Sequence, residues 1–253
     1  MFNTGTDKQW EKSGKNDPYY GVLTLEKYRS VNLTEENKEE FFDSGYGHLD
    51  HILMKIERYI EQDFIIRKAL DFGCGVGRLL VPLAEIAESV TGIDVSQAML
   101  DEAKKNCEAR AIKNASFLKS DDSILPLSGK YNFIHSFIVF QHIPVRRGEC
   151  IFRNLLGLLD DGGVCVIHFT YAKARKIMEW VQWVTRCIPF AANTINLLKG
   201  KGFFAPQMQM NSYDLNRILS VIQNNGIPDF YAEYTNHGGS LGIILYFKKP
   251  EKA

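Results

Sequence analysis

The sequence predicts an α/β protein: a doubly wound mixed sheet of seven strands, the last antiparallel, with an N-terminal helical cap and a helical insert after the fifth strand. Three observations carry this. From Phe64 onward, short apolar runs alternate with amphipathic stretches of helical length, which is the pattern of βαβ units on a parallel sheet. Near the C-terminus two strand-like runs, 230–235 and 241–248, are separated by His237-Gly238-Gly239, short enough for a hairpin that reverses the last strand. Finally, residues 1–63 and 171–210 do not follow the alternation, so the first reads as a flank and the second as an insert within a domain spanning 64–253.

Element by element, Thr34 is an N-cap with Glu35 and Glu36 behind it, predicting a helix to Asp43. A second helix is expected from His48 to Gln62, with Leu49, Ile52, Leu53, Ile56, Tyr59 and Ile60 on one face. Lys68–Phe72 reads as a buried strand that stops in a glycine-rich turn. Then follow a helix from Arg78 to Ala87, a strand from Ser89 to Ile93 and a helix from Ser96 to Ala109. Strands at 115–118 and 131–137, a helix at 146–159 and a strand at 164–169 continue the series, and a helix at 213–224 precedes the hairpin. In the insert, Ile177, Trp180, Val181, Val184 and Ile188 form an amphipathic stripe that Pro189 ends.

Composition narrows the function classes. The chain has 253 residues, 45% hydrophobic and 24% charged, which excludes wholesale disorder. Thirty basic side chains balance thirty acidic ones, so nucleic acid is not the expected partner. Five scattered Cys without a C-x-x-C spacing form neither a disulfide framework nor a zinc site and fit a reducing compartment. The polar first residues do not read as a signal peptide, and no apolar run is long enough for a membrane span. The expectation is a soluble cytoplasmic enzyme.

The chemistry is concentrated at three successive strand tips. Leu70-Asp71-Phe72-Gly73-Cys74-Gly75-Val76-Gly77-Arg78 places three alternating glycines between a strand and a helix, where a ligand can lie against bare backbone. Gly92-Ile93-Asp94-Val95-Ser96 puts a carboxylate at the second tip, placed to accept both hydroxyls of a ribose. Ser96 is the better N-cap for the helix that follows. Ser120-Asp121-Asp122 puts acids at the third tip, suited to an adenine amino group. A dinucleotide site would want G-x-G-x-x-G, and Arg78 stands where the last glycine would be.

These motifs, together with Met99-Leu100, Leu125-Pro126, Tyr131-Asn132-Phe133-Ile134 and Leu159-Asp160-x-Gly162-Gly163, resemble in order those of the class I S-adenosylmethionine-dependent methyltransferases, whose fold is Rossmann-like. The resemblance covers roughly residues 64–170. It implies S-adenosylmethionine as cofactor, S-adenosylhomocysteine as product, and no metal. By the same resemblance, Asp71, Phe72, Gly73, Gly75 and Gly77 would hold the methionine part, with Asp71 on its amino group. Asp94 would take the ribose, Val95 and Met99 the adenine face, Asp121 and the Asp122 backbone the adenine edge. Phe137 would face the methionine moiety.

The acceptor is less legible. The stretch after the fourth strand, Ser136-Phe137-Ile138-Val139-Phe140-Gln141-His142, lacks the Asn/Asp-Pro-Pro-Tyr/Phe motif of many amino-group methyltransferases, which favours a small-molecule or carbohydrate-type acceptor, with oxygen as the leading atom. His142 is the candidate general base. Tyr171 and His237 are the candidate substrate-binding residues, and His168 reads as a core residue. His48 and His51 lie three apart on a helix, but no second cluster completes a metal site. Alternative expectations are a non-catalytic relative that binds the cofactor and acts through a partner surface, and an RNA or protein methyltransferase. Residues 1–63 carry 8 basic and 13 acidic side chains, whereas 171–210 carry 6 and 1. An acidic flank and a basic insert would attract each other over the site, or the insert would meet an anionic acceptor. The Trp and basic residues of 173–198 also suit peripheral contact with a lipid surface, although a buried stripe is the commoner meaning.

Overall fold

The computed structural model describes residues 5–120, 129–174 and 210–251. Asp121 and Asp122, expected at the adenine edge, and the amphipathic stripe of the insert lie outside the described residues. Seven strands form one sheet in the order β3-β2-β1-β4-β5-β7-β6. They are β1 (Lys68–Phe72), β2 (Ser89–Asp94), β3 (Ala115–Lys119), β4 (Tyr131–Ser136), β5 (Leu159–Lys173), β6 (Tyr231–His237) and β7 (Ser240–Lys248). β1 to β5 pair in parallel, and β7 runs antiparallel between β5 and β6. The predicted sheet and hairpin are therefore as expected. Gly238 and Gly239 both have positive φ, +59° and +86°, matching the primed turns whose twist suits a two-residue hairpin.

Helices cover both faces. They are α1 (Gly5–Asn16), α2 (Pro18–Val22), α3 (Glu35–Tyr59), α4 (Leu80–Ile86), α5 (Gln97–Ala109), α6 (Val145–Leu158) and α7 (Leu215–Asn224). Side chains alternate along each central strand. Phe133, Val164, Val166, Ile244 and Tyr246 face the layer that contains α3, whereas Ile134, Cys165, Ile167, Phe169, Leu245 and Phe247 face the layer of α6 and α7. Each such fully buried side chain contributes about 1.5–3 kcal/mol.

The main departures from the sequence reading are at the N-terminus. The two helices expected at 34–43 and 48–62 are one helix, α3, capped as predicted by the Thr34 hydroxyl, which accepts from the Asn37 N–H at 3.2 Å. Gly45 falls between the two expected helices and is a point of close approach. A Cβ there would lie 2.1 Å from the backbone oxygen of Arg78, so only glycine lets α3 lie against the end of the glycine-rich turn. α1 and α2 were not predicted, because a polar, glycine-containing stretch carries little periodicity. Gly14 and Gly21 lie against Ser96 and Met99 of the α5 region, where a Cβ would come within 2.7 and 2.9 Å. β5 is longer than expected at both ends. It takes in Leu159–Gly163, which the sequence reading left between the helix at 146–159 and the strand at 164–169, and continues through Tyr171 to Lys173, whose ammonium is buried on the Ser240 hydroxyl at 2.7 Å. Thus the first residues assigned to the insert belong to the sheet.

Candidate functional site

The site begins at the glycine turn after β1. Gly73 and Cys74 both donate backbone N–H bonds to the Ile93 carbonyl, at 2.7 and 3.0 Å, tying the turn to the tip of β2. Gly73, Gly75 and Gly77 have φ of +78°, +54° and +91°, conformations that disfavour any other residue. A Cβ on Gly73 would sit 2.3 Å from the Val139 side chain, and one on Gly75 2.7 Å from Val22. The loop after β4 and the end of α2 thus close on the bare turn from two sides. Ile138 in that loop has φ +60°, a strained conformation for a β-branched residue.

A pocket opens between these elements. Among the expected cofactor residues Asp71, Phe72, Gly73, Gly75, Asp94, Val95, Met99 and Phe137 line it, as does His142. Gly77 does not. Its φ serves the turn, and its Cα packs toward Ala103 of α5. Tyr171 and His237 are also not in the lining. Tyr171 lies near Tyr234, with ring centroids 6.4 Å apart, so neither candidate substrate residue is brought to this pocket.

Asp94 is half-buried and doubly hydrogen-bonded, accepting from the Gly75 N–H at 3.0 Å and the Ser96 N–H at 2.9 Å. Burial pushes its carboxyl up to about 6, against the lowering effect of these backbone donors. Ser96 caps α5 as expected, accepting from the Met99 N–H at 3.2 Å. Asp71 is 3% exposed; its Oδ1 meets His135 Nδ1 at 3.1 Å, while its buried Oδ2 has no partner. An orphaned carboxylate oxygen beside a glycine cradle fits a ligand bearing an ammonium group.

The N-terminal helices complete the walls through Thr6, Trp10, Val22 and Leu23; Trp10 was open to this role from the sequence, as one of the aromatic residues of the flank, and the other three were not. Their attachments are polar and specific. Glu11 of α1 accepts from the Ser96 hydroxyl at 3.0 Å, and Tyr19 of α2 donates to Glu102 and Asn106 of α5 at 2.9 and 2.8 Å. Arg147 of α6 forms a two-pronged pair with Asp7, at 2.6 and 3.0 Å. Trp10 packs edge-on against His142, ring centroids 4.9 Å apart. The only hint in the sequence was the aromatic content of this stretch.

His142 sits in a defined chain. Thr170 donates to Gln141 Oε1 at 2.8 Å, so the Gln141 amide nitrogen is the group that donates to His142 Nε2 at 3.1 Å. Three other histidines gather around Phe137, which contacts His48, His168 and His237 at centroid distances of 4.1, 5.3 and 5.7 Å. His48 lies in the middle of α3, not at a helix start. Burial depresses its pKa to about 2 and that of His168 to about 3, so both rings are neutral near pH 7. His168 is half satisfied. Its Nε2 reaches Thr235 at 2.9 Å across Gly242, whose missing side chain leaves the space, and its Nδ1 has no partner. His51 pairs with Glu233 at 2.9 Å. Among the described residues no group of three His, Cys, Asp or Glu side chains is arranged to hold a metal ion, and no helix is long and apolar enough to cross a membrane.

A family model described as a methyltransferase domain matches residues 69–163. The magnesium-protoporphyrin O-methyltransferase of Synechocystis is 34% identical over 91 residues, 36% of this chain and 39% of that protein. The ubiquinone biosynthesis O-methyltransferase of Coxiella burnetii is 30% identical over 109 residues, 42% of this chain and 45% of that protein. The chain thus matches less than half the length of either relative. Among solved structures, magnesium protoporphyrin IX methyltransferase from Synechocystis with bound S-adenosylhomocysteine superposes with a TM-score of 0.68 at 18% identity, covering 97% of this chain and 98% of that one. The N-methyltransferase NodS from Bradyrhizobium japonicum, also with S-adenosylhomocysteine, gives 0.59 at 12% identity, covering 97% and 99%. The matched domain, the strand order and the glycine turn with Asp94 at the neighbouring tip agree: residues 69–163 match a methyltransferase domain, and the fold is that of the S-adenosylhomocysteine-bound methyltransferases it superposes on.

Proposed function

We propose that the protein transfers the methyl group of S-adenosylmethionine to a small-molecule acceptor, with oxygen as the leading acceptor atom. The observation that carries this reading is the pairing of a glycine-lined pocket with two carboxylates of different character. Asp94 is held by backbone N–H groups and suits ribose hydroxyls, while Asp71 keeps one oxygen free for an ammonium. When bound, the cofactor supplies a methyl group already activated on a sulfonium, for in-line displacement by the acceptor. The chain's own contribution is to orient that group and to keep water out. Trp10, Val22 and Leu23 do the latter, roofing the pocket from the N-terminal helices. Val95 and Met99 would flank the adenine, and Phe137 the methionine end. Asp121 and Asp122 would read the adenine edge.

His142 is proposed as the base for a hydroxyl acceptor. Its Nε2 lone pair is held by the Gln141 amide, so an acceptor hydroxyl would have to displace that donor. The acceptor would lie against Phe137, toward the neutral His48, His168 and His237 side. Tyr171 and His237 remain proposed contacts only for an acceptor that reaches beyond the pocket lining. Small-molecule O-methyltransferases among the relatives favour this acceptor class over RNA or protein, and the basic insert favours an anionic member of it.

Isotope-labelled S-adenosylmethionine tested against phenolic, carboxylic and carbohydrate metabolites should yield a methylated product with stoichiometric S-adenosylhomocysteine. Tight cofactor binding with no turnover on any acceptor would instead favour a non-catalytic relative acting through a partner surface.

A further inference from the structure

We propose that His135 is a positioning residue that aims Asp71 at the amino-acid end of the cofactor, an assignment that rests on the cofactor reading above. The two residues are register partners on adjacent parallel strands, β1 and β4, so their side chains stand side by side on one face of the sheet. Both are 3% exposed. An ionised carboxylate can only accept, so the proton in the 3.1 Å contact is on His135 Nδ1 and is donated to Asp71 Oδ1. That bond removes the rotational freedom of the carboxylate and leaves Oδ2 as the oxygen without a partner. Asp71 belongs to the pocket lining, so the free oxygen is the one available to a ligand.

The ring of His135 is itself held. It stacks on Phe133 at an interplanar angle of 11° and meets His48 edge-on, centroids 5.7 Å apart. The nearby cation, Arg78, is coupled to Asp71 through charge and not through a hydrogen bond. Arg78 directs its guanidinium to the Ser44 carbonyl at 3.2 Å and the Ser44 hydroxyl at 3.4 Å. A buried carboxylate with one oxygen fixed by a ring N–H still lacks a hydrogen-bond donor on the other, and a charged donor satisfies it best. The ammonium of the methionine moiety has that charge and its N–H donors.

The assignment is tested with two ligands that differ only at this end. S-adenosylhomocysteine carries the amino-acid group, and 5′-methylthioadenosine is the same nucleoside thioether without it. Titration calorimetry is run on the wild type, H135L and H135N, because Asn keeps an N–H donor near the position of Nδ1. H135L should weaken S-adenosylhomocysteine by about tenfold while 5′-methylthioadenosine stays within about twofold, and H135N should restore most of the loss. Unchanged S-adenosylhomocysteine affinity in H135L, or equal weakening of both ligands, overturns the positioning role. Should H135L bind neither ligand, H135N decides: a retained preference for S-adenosylhomocysteine supports the role and a lost one overturns it. Failure of both ligands on the wild-type protein would overturn the cofactor reading, and this assignment with it.

Discussion

Replacing Gly45 by Ala tests how the long helix α3 is joined to the glycine turn. A Cβ at this position would lie 2.1 Å from the Arg78 carbonyl oxygen and 3.1 Å from its carbon, and the obstacle is backbone, which has no rotamer to escape into. Reaching even 3.0 Å requires α3 or the turn to retreat by close to 1 Å. Forcing atoms into a filled core costs about 1–3 kcal/mol, against which the better helix propensity of Ala returns about 1 kcal/mol. A net loss of up to about 2 kcal/mol lowers the melting temperature by up to roughly 8 °C in a protein of this size. Gly47, two residues along the same helix, is the control. Nothing lies within 4 Å of its built Cβ, so Gly47→Ala should gain about 0.5–1 kcal/mol. Thermal and urea unfolding of both variants measures the difference. S-adenosylhomocysteine titration adds a second readout, because Arg78 carries the displacement into the turn. A Gly45→Ala protein as stable as Gly47→Ala would refute the reasoning.

Asp94→Ala should cost about tenfold to a hundredfold in S-adenosylhomocysteine affinity by calorimetry, and an unchanged affinity would remove Asp94 from the site. In the wild type, burial holds the Asp94 carboxyl at about 6 and the ionised form is the better acceptor, so affinity should fall as pH drops below that value. The loss should approach about tenfold per pH unit, and a flat profile between pH 5 and 7.5 would contradict it. Asp7→Asn breaks the two-pronged pair that holds α1 to α6; with one partner one-third exposed, the pair is worth only about 1 kcal/mol. Stopped-flow measurement should show S-adenosylhomocysteine leaving about threefold to fivefold faster, and an unchanged rate would mean that α1 does not gate the pocket. Gly239→Ala forces a side chain into φ +86° in the β6–β7 turn and should lower stability by about 1 kcal/mol, read as a melting-temperature drop of a few degrees; no drop would argue against the primed turn.

The readability of the chain follows the range of the interactions. β1, β2, α5 and the hairpin were legible because periodicity, the Ser96 cap and the paired glycines act over a few residues. The glycine turn and Asp94 were legible because a ligand against backbone at a strand tip leaves a mark that is local in sequence. α1 and α2 were not, since their stability comes from Glu11 on Ser96, Tyr19 on Asn106 and Arg147 on Asp7, partners 85, 87 and 140 residues away. The role of Gly45 was not legible for the same reason. Its meaning depends on Arg78, and no window along α3 contains that residue.

By itself, then, the sequence determined the sheet, its antiparallel last strand and the strand tips that line the pocket, because each rests on local spacing and on the handedness of βαβ connections. Only the tertiary structure decided that Asp71 shares its carboxylate with His135, that Gly77 serves the turn and Trp10 the pocket, and that Tyr171 belongs to the sheet. Such roles depend on which strands and helices become neighbours. That choice is made by burial over the whole chain.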